Sequence, residues 1–318
     1  MNSEKLLVSV IISCYNSGPF LSKTIESILL QDYKYLELIF VNDGSSDDSL
    51  SIAESFALLD TRIKIFSTIN RGLNAARNFG AKQVSEESAA LMFVDADDIL
   101  DRKAIEILQT ALFSEEETGA AYCDFKIINS KGEDANVDLG MVRLEPTRFW
   151  VKKIPRSVKY TSLFSIYSWT FMQEACTLIK KEIFVKFGGW DEKDFPKGDT
   201  FGESIPLFGQ IAINHKIIFI NQKLYLYRKH GDQITSNNFD YRRVQNKVNT
   251  LMLAKTANDQ TARKVVIKAI RFVHYRLPFY KYIKGSWKHE LRFYPLKAMR
   301  NISITFARFA VSLFFRFD

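Results

Sequence analysis

A chain of 318 residues that is 47% hydrophobic and 25% charged can bury a sizeable core, which excludes a disordered or low-complexity protein. Cys14, Cys123 and Cys176 are scattered without CxxC spacing, which argues against a disulfide scaffold or zinc site and predicts a reducing compartment. The net charge of +8 conceals an asymmetry: residues 240–318 carry 17 Lys+Arg against four Asp+Glu, whereas 1–239 carry 27 against 32. An acidic body with a basic tail predicts that the tail meets something anionic.

In chain order, Leu7 to Ile12 reads as a strand that enters the polar turn Cys14-Tyr15-Asn16-Ser17-Gly18, not as a secretory signal. Pro19 to Leu30 has helical spacing, with Leu21, Ile25, Ile28 and Leu29 on one face. A strand follows at Leu36 to Val41, then a helix capped by Asp47 or Asp48 and running to about Leu58. Arg62 to Phe66 is the third strand and Leu73 to Lys82 the third helix; Ala89 to Val94 and Arg102 to Phe113 make the next pair. Ala120 to Ile128 is a further strand. Repeated units of this length predict an α/β fold with a mainly parallel central sheet and helices on both faces. Residues 129–175 show weak periodicity and are expected to form loops and short helices over a cleft. Short strands are expected at Cys176 to Ile179, Ile217 to Ile220 and Leu224 to Arg228, with a helix near Ile205 to Asn214. From Tyr241 the chain reads as helices broken at Pro278, Gly285 and Pro295. No stretch reaches the roughly 20 apolar residues that a bilayer crossing requires.

Ligands of such sheets bind beyond the C-terminal strand ends, where three polar clusters fall. Asp43, in Asn42-Asp43-Gly44-Ser45, can accept the imide N–H of a uracil ring or serve as a local turn former. Arg77 sits one turn inside the helix opened by Asn70-Arg71-Gly72; it either reaches a base or pyrophosphate and offsets nearby acids, or lies on the surface. Asp95 and Asp97 follow the buried run Ala89 to Phe93. Two carboxylates there are costly unless a cation joins them, and hard oxygen ligands suit Mg2+ or Mn2+. The bland alternative is a solvated turn before the next helix.

Taken in order, these elements resemble the family 2 glycosyltransferases of the GT-A fold. The resemblance rests on Val8-Ser9-Val10-Ile11-Ile12-Ser13-Cys14-Tyr15-Asn16, Ser27-Ile28-Leu29-Leu30-Gln31, Val41-Asn42-Asp43-Gly44-Ser45, Asn70 to Gly80, Asp95-x-Asp97-Asp98 and Gly188-Gly189-Trp190-Asp191-Glu192. It spans roughly residues 6–236. It implies a GT-A nucleotide-diphospho-sugar transferase fold over 1–239 with a helical C-terminal extension over 240–318. It also implies inverting transfer of a sugar from a nucleoside diphosphate, expected to be UDP. Tyr15 and Asp43 would hold the base, Arg77 the base or diphosphate, and Asp95 the nucleotide or a share of the metal. Asp97 would ligate Mg2+ or Mn2+. Arg228 and His230 resemble the segment that closes the donor site, with His230 a third metal ligand or a phosphate contact.

Three positions depart from the family pattern. Ser13 stands where Pro is usual and Asn42 where Asp is usual. More consequentially, Ser204 aligns where the catalytic Asp is expected, and a serine has no useful basicity near neutral pH. Glu203 therefore becomes the candidate base, with Asp199 and Asp191 behind it. A nucleotide-binding scaffold that has lost its base is the non-enzymatic alternative. A sugar nucleotidyltransferase is disfavoured because no Gly-rich phosphate loop follows the first strand.

The tail interleaves Arg271, Arg276, Lys281, Lys284 and Lys288 with Phe272, Tyr275, Phe279, Tyr280 and Trp287. Basic aromatic helices of this kind lie in membrane interfaces, with packing on the body as the alternative. The expected setting is the cytoplasmic membrane face, with a glycan or lipid-linked acceptor of surface polysaccharide or lipopolysaccharide synthesis and no nucleic-acid partner.

Overall fold

Eight strands form one sheet in the order β3-β2-β1-β4-β7-β6-β8-β5 in this computed structural model, which describes residues 6–135, 174–197, 202–231 and 241–271. The strands are β1 Leu7–Cys14, β2 Leu36–Asn42, β3 Ile63–Ser67, β4 Ser88–Asp95, β5 Ile99–Leu100, β6 Thr118–Ile128, β7 Thr177–Lys180 and β8 Lys216–Arg228. The helices are α1 Gly18–Leu29, α2 Ser49–Ala57, α3 Leu73–Lys82, α4 Ala104–Leu112, α5 Lys181–Lys186, α6 Ser204–Asn214, α7 Tyr241–Lys255 and α8 Gln260–Arg271. Pairing is parallel from β3 through β2 and β1 to β4, antiparallel across β7, and parallel again between β6 and β8.

Strand alternation sorts the core into two apolar layers. Val8, Val10, Ile12, Leu38 and Phe40 face α1, α2 and α4 through Leu21, Ile25, Ile28, Ala53 and Leu108. Ile11, Ile39, Val41, Leu91 and Phe93 face the opposite layer, built from α3, α5, α6, α7 and α8. Val248, Met252, Val266 and Ala269 thus share a core with the sheet, although they lie beyond residue 239. The helix breaks expected at Pro278, Gly285 and Pro295 lie outside the described residues.

Three elements differ from the sequence expectation. The two strands expected at Ile217–Ile220 and Leu224–Arg228 are one strand, β8, whose register against β6 shifts around Cys123, Asp124 and Phe125. The other two are additions, α5 and the two-residue β5. The latter pairs Ile99 with Leu226 and Leu100 with Tyr225.

A polar network ties the sheet together at the end away from the expected site. The Ser9 hydroxyl donates to Glu37 Oε1 at 2.6 Å, Lys64 Nζ lies 2.7 Å from Oε2, and the Ser85 N–H donates at 2.8 Å. Burial alone pushes the Glu37 carboxyl up, but the bonds from Lys64, Ser9 and Ser85 outweigh it and hold the carboxyl below its ordinary range. A depressed carboxylate stabilises the fold above its unfolded pKa, and that contribution is lost as pH falls through the folded value. Glu37→Gln is therefore expected to cost about 1–3 kcal/mol at pH 7 by leaving buried partners unsatisfied. The difference from wild type should shrink below about pH 4, and urea unfolding at pH 7 and pH 3.5 measures both.

Candidate active site

The strand order reverses between β1 and β4, and the crevice beyond the C-terminal ends of those strands is the natural ligand position in an open α/β sheet. Register places Ser13 of β1 beside Asp95 of β4 and Cys14 beside Asn42 of β2. The loop after β1 is stitched to the loop after β2: the Asn16 N–H donates to Ser45 Oγ at 3.0 Å and the Ser46 N–H donates to Asn16 Oδ1 at 2.8 Å. Tyr15, between these contacts, is 52% exposed.

Asp43 is buried at the end of β2. Its Oδ1 accepts the Thr68 hydroxyl at 3.1 Å and the Arg71 N–H at 2.9 Å, and its Oδ2 accepts the Gly72 N–H at 2.8 Å. The carboxylate therefore shapes the loop that opens α3. A carboxylate offers roughly four lone-pair positions, so one more donor can be accepted.

Helix α1 and β8 together hold the acidic loop after β4. The Thr24 hydroxyl donates to the carbonyls of Ala96 and Asp98, and the Gln31 carboxamide accepts the Ile105 N–H while donating to the Asp101 carbonyl. Asp98 is wholly buried; its carboxylate accepts the Tyr225 hydroxyl and the Arg228 N–H, each at 2.6 Å. Burial first, then Asp97 and Asp95, push the Asp98 carboxyl well up. With β5 paired to β8, these bonds carry His230 to the acidic loop, where its Nε2 lies 2.9 Å from Asp97 Oδ2. Phe20 stacks 4.4 Å from the His230 ring. Burial, then Asp95, push the Asp97 carboxyl up, and His230 partly reverses this.

Asp95, Asp97 and His230 do not enclose an ion as a three-ligand cage; among the described residues no group of three His, Cys, Asp or Glu does. Asp95 turns instead to Arg77, whose Nη2 lies 2.9 Å from Oδ1. The donor chemistry still fits a small divalent cation. Such ions take one or two carboxylates and complete their shell with water and substrate phosphates, and a cation would relieve the charge that burial and Asp95 make costly on Asp97.

Two arginines of the expected site are buried. Arg228, expected in the segment that closes the donor site, is 0% exposed and holds its guanidinium inside the protein. Its Nε donates to the Asp97 carbonyl at 2.7 Å, its Nη1 to the carbonyls of Asn129 and Ser130, and its charge lies 5.0 Å from the Phe20 ring. Arg228 is thus a brace under the acidic loop, tying the Asp97 carbonyl to those of Asn129 and Ser130. Arg77 is likewise only 2% exposed and lies between acids, as expected of a residue that offsets them. Beside the Asp95 contact, Nη1 lies 3.9 Å from Glu203 Oε1, and the guanidinium sits 4.8 Å from the Trp190 ring.

Glu203 is 2% exposed at the entrance to α6, with half-buried Ser204 as the first helical residue. Asp191 caps a turn by accepting the Asp194 N–H on Oδ1 at 2.9 Å. Asp199 lies outside the described residues.

Asn78, inside the Asn70 to Gly80 motif, anchors the loop that carries Trp190. Its Oδ1 accepts the Trp190 N–H at 2.9 Å, while its Nδ2 donates to the Trp190 carbonyl and to Glu192 Oε1, each at 2.8 Å. Gly189 has a φ of +69°, and a Cβ there would come within 2.6 Å of Asn78 Oδ1, which explains the glycine.

Comparison with known proteins agrees with this architecture. The chain superposes on Staphylococcus aureus TarS 1-349, solved in complex with UDP-GlcNAc, with a TM-score of 0.61 and 17% identity over 92% of this chain and 78% of that one. It also superposes on the mannosyltransferase PcManGT from Pyrobaculum calidifontis, in complex with GDP-Man and Mn2+, with a TM-score of 0.54 and 15% identity over 98% and 88% of the two chains. These likenesses define a GT-A transferase fold. The family model described as glycosyl transferase family 2 matches residues 9–187. The glycosyltransferase GlyG of Streptococcus pneumoniae serotype 4 is 30% identical over 238 residues, covering 74% of each chain. The chain belongs to glycosyl transferase family 2.

Proposed function

We propose that this glycosyltransferase moves a sugar from UDP to a glycan or lipid-linked glycan acceptor, with inversion and with help from Mg2+ or Mn2+. The observation that carries the reading is the Asp97–His230 contact at the end of β4, beside the second carboxylate of Asp95. Asp97 and His230 would hold the ion, with Asp95 nearby; when bound, the ion neutralises the departing diphosphate. Tyr15 offers an exposed ring for the base, and Asp43 an unused acceptor position for a uracil N–H. Glu203 takes the proton of the acceptor hydroxyl as its oxygen attacks the anomeric carbon, and the bond to the diphosphate breaks with its electron pair leaving on the phosphate oxygen. Arg77, wedged between Asp95 and Glu203, keeps the donor-side and candidate base carboxylates at fixed separation.

UDP-GlcNAc binding by TarS and Mn2+ with GDP-Man in PcManGT support a nucleotide-sugar donor and a metal. The basic, aromatic tail supports attachment to an anionic membrane surface, where a lipid-linked acceptor of surface-polysaccharide synthesis would lie. A second reading, a donor-binding scaffold without turnover, is favoured by Ser204 and by the burial of Glu203. UDP release from a panel of UDP-sugars by the full chain, with and without anionic vesicles, tests the set. The proposal expects Mn2+-dependent release that rises when anionic vesicles supply the acceptor surface. Release from no sugar under any condition would favour the scaffold, and equal release with neutral and anionic vesicles would sink the membrane element.

A further inference from the structure

We propose that Lys247 is a positioning residue for the transfer reaction, by which the helices beyond residue 239 hold the loop that supports the candidate base. Helix α7, Tyr241–Lys255, packs against α6, the helix that Glu203 enters. Val248 and Met252, four residues apart and so on one face of α7, are buried in the core layer that also holds Trp190, Phe195 and Phe208. Lys247 stands beside that stripe and is half-buried, so its aliphatic stem can lie along the core while the ammonium reaches further. The ammonium is directed at the loop Trp190–Phe195. Its Nζ donates to the Asp194 carbonyl at 2.5 Å and lies 5.1 Å from the centre of the Phe195 ring. None of the sequence motifs includes this lysine.

A second helix grips the same loop. Asn74 Nδ2, on α3, donates to the Phe195 carbonyl at 3.1 Å, so two successive carbonyls are held by α7 and α3. The turn before them is closed by the Asp194 N–H on Asp191 Oδ1 and the Phe195 N–H on the Asp191 carbonyl. The first residue of the loop connects it to the chemistry. Trp190 is 1% exposed, with the Arg77 guanidinium 4.8 Å from its ring, and Arg77 Nη1 lies 3.9 Å from Glu203 Oε1. Asn78 fixes the near end of the loop at Trp190, and Lys247 fixes the far end. Loosening the far end lets the Trp190 face shift, and Arg77 and Glu203 with it. A displacement of about 1 Å at a reacting group can cost on the order of 10²-fold in rate.

The effect on turnover rests on the glycosyltransferase reading with Glu203 as base; the hold on the loop does not. The test compares full-length wild type with Lys247→Met, which keeps the stem but removes the charge and the donor, and with Lys247→Arg, which keeps both. UDP release from a panel of UDP-sugars is measured with Mn2+ and anionic vesicles, UDP affinity by calorimetry and folding by melting curves. Lys247→Met is expected to bind UDP within about twofold of wild type and to melt with it, while kcat falls roughly tenfold; Lys247→Arg is expected to recover kcat to within about threefold. Unchanged kcat in Lys247→Met, a matching loss of UDP affinity, an equal kcat loss in Lys247→Arg, or early melting of the methionine variant would each overturn the proposal. Wild type that releases UDP from no sugar of the panel would overturn the transferase reading and this role with it. Wild-type turnover that ignores Lys247→Met would overturn this role alone.

Discussion

Glu203→Gln is expected to bind UDP as wild type does and to turn over on the order of 10²–10⁴-fold more slowly, the usual effect of losing a positioned base. The substitution keeps size and hydrogen-bonding capacity while removing the charge that faces Arg77 at 3.9 Å. Arg77 retains Asp95 at 2.9 Å and the Trp190 face, so the donor side should stay organised. Steady-state kinetics with a UDP-sugar, paired with UDP affinity, separates the two effects. An unchanged kcat would remove Glu203 from the chemistry and turn attention to Asp199. A wild type that is itself inactive, gaining turnover on Ser204→Asp, would establish the scaffold reading, since that change restores an acid at the first position of α6.

Asp97→Ala is expected to lower kcat/KM by about 10³-fold or more and to abolish its dependence on Mn2+. The side chain is the partner of His230, and its carboxyl is pushed up by burial and by Asp95, so an unliganded negative charge is poorly supported there. A bound divalent cation changes that balance, which is why a single carboxylate should matter so much. Asp97→Asn would keep a hydrogen bond to His230 but not the charge; similar losses in both variants would assign the effect to charge and not to the contact. Full activity of Asp97→Ala with Mn2+ would contradict the metal assignment.

The αβ alternation was legible because β1, β2 and β4 are buried on both faces and the helices between them carry apolar stripes, so periodicity marks them. Helix α3 falls on the expected residues, Leu73–Lys82. What was not legible depends on partners distant in the chain. β5 is two residues long and exists only because β8 lies beside it. β8 read as two strands because the polar run Asn221-Gln222-Lys223 is exposed where the strand passes its register shift. Arg228 reads as a donor-site residue only through the resemblance of its segment to the family's donor-closing segment. Its burial follows from carbonyls at Asp97, Asn129 and Ser130 that no local pattern reveals. Asp98 read as one more acid in the cluster, whereas Tyr225 and Arg228, more than 120 residues away, make it the strut of the site. Trp190 stood in a recognisable motif, but its role under Arg77 needed the Asn78 clamp to be seen in three dimensions.

The central claim is a metal-dependent UDP site at the ends of β1, β2 and β4. Calorimetric titration of UDP, with GDP, dTDP and CMP in parallel, onto wild type and Asp97→Ala with and without Mn2+ tests it most directly. The account predicts that UDP binds wild type best, that Mn2+ strengthens binding, and that the metal effect disappears in Asp97→Ala. Equal binding of UDP with and without Mn2+, or no binding of any of the four nucleotides, would contradict it.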